Sequence, residues 1–150
     1  MSERIHNINR LVLAVAMMLS GLLHLSAQEN RSFEGKVFNS EFSMWLEMDF
    51  YGEGVKVPAQ EIFGQVPGYF ATKRDGRKWI VTDAKIDGEK AYLTVINDYG
   101  SEDFTAVLYY KADGTYQLER KSGSTMKVVE NRKWVKIPKT IVFTRKKMEK

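Results

Sequence analysis

Few side chains in this chain have the chemistry that catalysis or metal binding usually needs. The only two histidines, His6 and His24, lie near the N-terminus, and the chain contains no cysteine. Ser-His-Asp and Cys-His catalysis, and zinc sites built on histidine, need a side chain that titrates near neutral pH or a soft metal ligand. If the N-terminal segment is removed, the rest of the chain has none of these. We therefore expect a protein that is not an enzyme and that uses no metal or cofactor.

Carboxylates are the remaining candidates for acid and base chemistry. Glu47 and Asp49 lie two residues apart, which places them on one face of a strand, and such a pair could serve in glycoside hydrolysis. The same spacing is common on solvated strands, and we favour that interpretation. The segment 97–103 contains three carboxylates whose oxygens could attract Ca²⁺. A connecting turn, in which Asp98 bonds its own backbone, is the simpler explanation.

The N-terminal segment has the pattern of a cleavable secretion signal. Arg4 and Arg10 provide a positive start, residues 11–23 are almost entirely apolar, and Ala27 is a small residue before the cut. The apolar stretch would form a helix of roughly 20 Å, too short for a hydrocarbon core of about 30 Å, so a cleaved signal is favoured over a membrane anchor. We expect a protein of the bacterial periplasm, or one secreted from the cell, that is not an integral membrane protein.

Charge is distributed unevenly over the chain. Removing a signal peptide at residues 1–27 leaves residues 28–150, a length that suits one domain stabilised by its core. Residues 28–119 carry 10 basic and 16 acidic side chains, whereas residues 120–150 carry 11 basic and 2 acidic ones. The basic part could bind anionic envelope lipids, acidic glycans or an acidic protein, or the earlier acidic strands could neutralise it. Nucleic acid is not an expected partner of an exported protein.

Alternation of apolar and polar residues predicts successive antiparallel strands after residue 30. The clearest run is 42–50, in which every even-numbered residue is apolar. Asp-Gly pairs at 75–76, 87–88 and 113–114 suit tight hairpin turns, Ser122-Gly123 is a weaker example, and 59–63 could form a short helical turn. The predicted strands are 34–39, 42–51, 69–74, 78–86, 90–96, 104–111, 115–121, 125–129, 134–137 and 140–145.

These strands predict an all-β fold, an antiparallel meander of about 8–10 strands. A flat meander would expose one face and two edges, and closing the sheet removes both problems. We therefore predict a closed or half-open barrel, with a β-sandwich as the alternative. A barrel of this size can hold one small ligand, or its own side chains can fill it.

The opening of the predicted domain resembles that of calycin-type barrels, the lipocalins and fatty-acid-binding proteins. The resemblance rests on Phe33-Glu34-Gly35-Lys36-Val37, followed by Ser40-Glu41-Phe42. Those families carry Gly-x-Trp in the first strand, and here Val37 stands at the tryptophan position. Their last strand can carry Arg-x-Tyr, where this chain has Phe143-Thr144-Arg145. The resemblance implies the barrel architecture.

Five residues are candidates for ligand binding. Arg120 shares strand parity with Tyr116, and Arg145 shares it with Phe143, so each arginine could end an apolar face and hold an anionic head group. Trp79 could stack on a sugar ring. The alternatives are arginines at strand ends in water and aromatic rings that pack in the core.

The sequence leaves three hypotheses open. The first is a non-catalytic envelope protein that holds a small apolar or amphipathic ligand, or an envelope glycan, inside the barrel or at its mouth. The second is a protein interaction or inhibitor module with a basic outer surface that meets an acidic partner. The third is a carboxylate-dependent hydrolase, which requires two acidic groups in one cleft.

Overall fold

The computed structural model describes residues 4–5, 7–8, 30–100 and 102–146. Both histidines, the predicted cleavage site and the last four residues lie outside the described residues, so the signal peptide stays a prediction. The strands all belong to the compact unit Ser32–Lys150.

Within the described part of residues 30–146, the regular structure consists of twelve β-strands and one short 3₁₀ helix. The strands are β1 (Glu34–Asn39), β2 (Met44–Asp49), β3 (Val55–Lys56), β4 (Gln65–Val66), β5 (Gly68–Thr72), β6 (Lys78–Asp87), β7 (Lys90–Asn97), β8 (Phe104–Tyr110), β9 (Tyr116–Gly123), β10 (Lys127–Glu130), β11 (Lys133–Lys136) and β12 (Thr140–Phe143). The 3₁₀ helix is Glu61–Phe63, within the segment predicted to form a helical turn.

Eight of the strands form one antiparallel sheet in the order β1-β2-β5-β6-β7-β8-β9-β12. Its two ends meet at Phe38 and Thr144, which exchange backbone N–H···O hydrogen bonds of 2.7 and 2.8 Å. The sheet is therefore nearly closed into a barrel, and the predicted all-β antiparallel meander is confirmed over the sandwich. The edge strands β1 and β12 are joined by backbone hydrogen bonds over only this short stretch, and the rest of each edge is not paired with the other.

The alternating residues of β2 and its flanks face the barrel interior, as the sequence pattern predicts. All five are buried: Phe42, Met44, Leu46, Met48 and Phe50. They join a continuous core with inward-facing residues of the other sheet strands. The predicted period of two is thus the period of burial.

The β3–β4 hairpin covers part of the barrel's outer surface. Val55, Val57 and Val66 pack with Tyr69 and Ile80 in a second apolar cluster. Strand β5 lies between this cluster and the main core, so all of its residues are buried. The apolar residues of β5 that point away from the barrel interior, Tyr69 and Ala71, therefore pack against the hairpin.

The β10–β11 hairpin follows β9 and precedes β12 along the chain, but it does not belong to the main sheet, in which β9 pairs directly with β12. The sequence pattern placed these strands in the meander and placed a turn at Ser122-Gly123, and both expectations are wrong. Strand β9 runs through Gly123, whose φ is +88° and where an added Cβ would lie 2.3 Å from the carbonyl oxygen of Asp103. The glycine permits this close backbone approach rather than a hairpin turn.

The hairpin closes one end of the barrel. Met126, Val128 and Ile137, within or beside the hairpin, are buried in the main core. Strand direction alternates around the sheet, so the β1–β2, β5–β6 and β7–β8 links lie at the same end. We call this the hairpin end.

Candidate functional site

Arg145 lies at the end of the barrel opposite the hairpin end, where it holds the chain closed. Its Nη1 donates to the carbonyl oxygen of Glu34 at 2.7 Å, and its Nη2 donates to the carbonyl oxygen of Ser32 at 2.8 Å. Nη2 also donates to the hydroxyl of Tyr116 at 2.7 Å. We call this set of contacts the Arg145 latch. It uses the guanidinium to join the last strand of the chain to the first.

Tyr116 is the buried partner of the latch. It has no exposed surface, and its hydroxyl donates to the carbonyl oxygen of Ser32 at 2.5 Å. The guanidinium carbon of Arg145 lies 5.3 Å from the centre of its ring. Burial raises the pKa of Tyr116 above its ordinary value of 10.0, and the nearby Arg145 charge opposes part of that shift.

Gly35 makes room for the latch. Its φ is +102°, and a Cβ at this position would lie 2.7 Å from Nη1 of Arg145. Any other residue would be strained at this φ and would press on the guanidinium. The glycine of the Gly-x-Trp resemblance therefore has a local structural reason in this chain.

Two of the predicted ligand-binding aromatics, Phe143 and Trp79, are core residues. Neither has any surface accessible to water, and the same holds for Leu46, which belongs to the same core cluster. A cavity able to hold even one water would leave accessible surface on its lining. The interior around these side chains is therefore filled, with Phe143 packed on Phe70 at 6.0 Å between ring centres.

Arg120 lies apart from the latch, near the hairpin end. Its Nη1 donates to the carbonyl oxygen of Ser124 at 3.0 Å, and its backbone N–H bonds the carbonyl of Lys139. The structure thus brings Arg145, Tyr116 and Phe143 to one region of β9 and β12, because Tyr116 and Phe143 are cross-strand partners. Ligand binding by Arg120, Arg145, Tyr116, Phe143 and Trp79 stays a prediction.

A buried polar cluster lies at the hairpin end, and no pattern in the sequence predicts it. Glu102 is 6% exposed; its Oε1 accepts from Nη1 of Arg77 at 2.9 Å and its Oε2 accepts from Nε1 of Trp79 at 3.0 Å. Arg77 also donates to the backbone carbonyl of Lys127 and pairs with Asp75 at 3.4 Å. The cluster ties the hairpin to β6 and the loop before β8.

Trp134 rests on this cluster. The guanidinium carbon of Arg77 lies 4.3 Å from the Trp134 ring centre and 5.2 Å from the ring centre of Trp79. One face of Trp134 is held by this cation–π contact, yet 60% of the residue is exposed. A large apolar ring is therefore held in place on the surface.

The hairpin that carries Trp134 also carries four cations that have no acidic partner among the described residues. Lys127 lies directly opposite Lys136 in the β10–β11 register, and Val129 lies opposite Trp134 on the same face. In the part of the chain that the structure describes, no carboxylate lies within ion-pairing distance of the four hairpin cations, Lys127, Arg132, Lys133 and Lys136. We call these four residues, with Val129 and Trp134, the basic hairpin surface.

Two acidic side chains near the C-terminal cations, Glu130 and Glu119, already form ion pairs with other residues. Glu130, the hairpin's own carboxylate, lies 3.5 Å from Nη1 of Arg74. Neutralisation of the basic C-terminal part is seen at Lys121, whose Nζ lies 3.0 Å from Glu119. The charge of the basic hairpin surface is left uncompensated within the described residues.

The hairpin tip carries a cation in a conformation that favours glycine. Asn131 and Arg132 have φ of 49° and 63°, the two positive values of a tight hairpin turn. The second position of such turns is usually glycine, because a side chain there costs about 1 kcal/mol. Arg132 places a charge at the tip despite that cost.

The carboxylates proposed for chemistry have structural partners. Glu47 accepts from the hydroxyl of Tyr69 at 3.0 Å and pairs with Lys36 at 3.5 Å. Asp49 accepts from the backbone N–H of Gly52 at 2.8 Å. Burial, more than the neighbouring Glu47 charge, raises the pKa of Tyr69 above its ordinary value.

The described residues of the acidic segment 97–103 form hydrogen bonds with one another and with Gln60. Asn97 accepts from the N–H of Tyr99 at 2.9 Å, and Asp103 accepts from the N–H of Asn97 at 3.2 Å. Asp98 accepts from Gln60 at 3.2 Å. Among the described residues there is no group of three or more metal-binding side chains.

A groove of about 410 Å³ lies beside the point where the barrel closes. Beyond the Phe38–Thr144 pair the two edge strands separate, and the side chain of Asn39 donates to the carbonyl oxygen of Val142 at 2.9 Å. We call this space the seam groove. Its lining includes Phe38, Asn39, Pro138, Ile141, Val142 and Thr144.

Comparisons with known proteins add no relative. No protein-family model matches the chain, and comparisons with curated proteins and with solved structures find no significant match. The resemblance to calycin barrels is therefore limited to the small-barrel architecture. None of the helices formed by described residues is long and apolar enough to cross a membrane.

Proposed function

We propose that the protein is an exported, non-catalytic binding module that holds an anionic partner on its basic hairpin surface. The observation that carries the proposal is the set of four hairpin cations that have no acidic partner among the described residues, on the same hairpin as the exposed Trp134. Like charges directly opposite each other on a hairpin, as at Lys127 and Lys136, destabilise it. An anion that lies across both lysines would relieve this repulsion.

The barrel interior gives less support to a bound ligand. The aromatic and aliphatic side chains around Trp79 and Phe143 leave no water-sized space beside them. In the Arg145 latch, the guanidinium N–H groups already donate to two backbone carbonyls and to the hydroxyl of Tyr116. A ligand inside the barrel would have to displace these contacts.

The seam groove favours a second candidate function, the binding of a small amphipathic ligand or glycan. Its volume of about 410 Å³ is within the range of small-molecule sites, and it combines apolar residues with the polar Asn39. Native mass spectrometry of protein purified from its own host tests this candidate. A retained small molecule supports it, and a bare chain counts against it.

A non-catalytic role is supported by the contacts of the carboxylates. Glu47 is bound to Tyr69 and Lys36, and Asp49 is bound to turn amides. An acid and base pair for hydrolysis would need two carboxyl groups that face one cleft. These two groups instead hold neighbouring parts of the fold.

The proposal is tested by titration with poly-L-glutamate as a soluble polyanion. We expect binding that weakens as salt is added, because exposed charges are screened over about 10 Å at 0.1 M ionic strength. The variant K127Q/K133Q/K136Q should bind at least about tenfold more weakly. The control K56Q/K73Q/K85Q removes the same charge from exposed lysines outside the hairpin. Equal losses in both variants, or no loss in the first, would contradict the proposal.

A further inference from the structure

We infer that the anionic partner of the basic hairpin surface is the surface of an anionic phospholipid bilayer. This inference rests on the proposed function, since it names the partner of the same surface. It draws on three features of the hairpin: the kind of cation, the position of the aromatic ring, and the residue at the tip.

The cations of the surface suit a lipid surface better than a protein partner. Three of the four are lysines: Lys127, Lys133 and Lys136. Lysine is depleted at protein interfaces, where the rigid fork of arginine suits carboxylates. A bilayer attracts any cation that comes close to it, worth about a fivefold gain in binding for each lysine or arginine.

The apolar part of the surface lies among these charges. Trp134 and Val129 are cross-strand partners on the face that also carries Lys127 and Lys136. Val129 is half-buried, whereas Trp134 is 60% exposed. Tryptophan favours the boundary between headgroups and acyl chains, because its ring is apolar and its N–H is polar. The pair can therefore enter the boundary while the lysines contact the headgroups.

The support beneath the ring is rigid. Arg77 holds one face of Trp134 and is itself fixed by the buried Glu102 and by Asp75. A ring that is already oriented loses little conformational entropy when it binds. The tip residue Arg132 adds a charge in a backbone conformation that glycine would adopt more readily.

Vesicle binding tests the inference on the full chain. The probes are vesicles of phosphatidylglycerol mixed with phosphatidylcholine, and vesicles of phosphatidylcholine alone. We expect binding to the first and not to the second, with a blue shift of tryptophan emission. W134F should abolish that shift, since Trp79 is fully buried and Trp45 is half-buried.

Matched variants separate the hairpin from the rest of the chain. K127Q/K133Q/K136Q should lower vesicle binding by about a hundredfold, from about fivefold per charge. K56Q/K73Q/K85Q carries the same N-terminal segment and the same charge change, so it should bind as the unmodified protein does. Equal binding by all three proteins would overturn the inference.

The polyanion titration distinguishes failure of this inference from failure of the proposed function. Hairpin-dependent binding of poly-L-glutamate without binding of phosphatidylglycerol vesicles would overturn the lipid partner and leave the proposed function standing. If neither probe is bound through the hairpin, both proposals fail.

Discussion

Replacing Arg145 with alanine removes three hydrogen bonds that join the segment after β12 to the segment around the start of β1 and to β9. The acceptors are two backbone carbonyls, of Ser32 and Glu34, and the hydroxyl of Tyr116. A hydrogen bond contributes about 1 kcal/mol net, and Arg145 is partly exposed, so we expect the free energy of unfolding to fall by about 2 kcal/mol. For a domain of this size the melting temperature should fall by about 8 °C.

Urea unfolding followed by tryptophan fluorescence measures this loss. R120A is the matched control, because Arg120 donates one side-chain bond, to Ser124. It should cost less than about 1 kcal/mol. R145K keeps the charge but not the planar fork, and it should recover less than half of the loss. An R145A protein within about 0.5 kcal/mol of the unmodified one would refute the latch.

Three further perturbations test the packing around the site. Raising the pH above about 10 should destabilise the fold, because Tyr116 and Tyr69 have raised pKa values in the folded protein and ionise more readily once it unfolds. Tyrosinate absorbance should show these two tyrosines ionising last, and Y116F should make the free energy of unfolding less dependent on pH. E102A should cost about 3 kcal/mol in urea unfolding, because it leaves the Trp79 N–H without its acceptor and removes one of the two carboxylates that pair with the buried Arg77 guanidinium, and a loss under about 1 kcal/mol would contradict that role. R132G should stabilise the hairpin by about 0.5 kcal/mol in thermal melts yet weaken polyanion binding, so a destabilised variant would argue against backbone strain at the tip.

The strand pattern could be predicted because burial on one face imposes a period of two. Met44, Leu46 and Met48 alternate with Trp45, Glu47 and Asp49, and they are the residues that face the core. Gly88 and Gly114 follow aspartates and have φ of 61° and 81°, as tight turns require. Local chemistry determined these features, so a local pattern could identify them.

The site could not be predicted in the same way, because it depends on contacts distant in sequence. Nothing near Glu102 in the chain indicates that it accepts from Arg77 and Trp79. The strand pattern of 127–136 is the same whether the hairpin joins the sheet or covers a barrel end. The basic composition of the C-terminal part is evident from the sequence, but the fold decides which of its cations lie beside a carboxylate of the described residues.

The most direct test of the proposed function is a map of amide chemical shifts in isotope-labelled protein titrated with poly-L-glutamate. If the polyanion binds the basic hairpin surface, the largest chemical-shift changes should fall within 127–136 and at Arg77 beneath Trp134, and they should disappear as salt is added. Changes centred on the seam groove or on the Arg145 latch, with the hairpin unaffected, would contradict it.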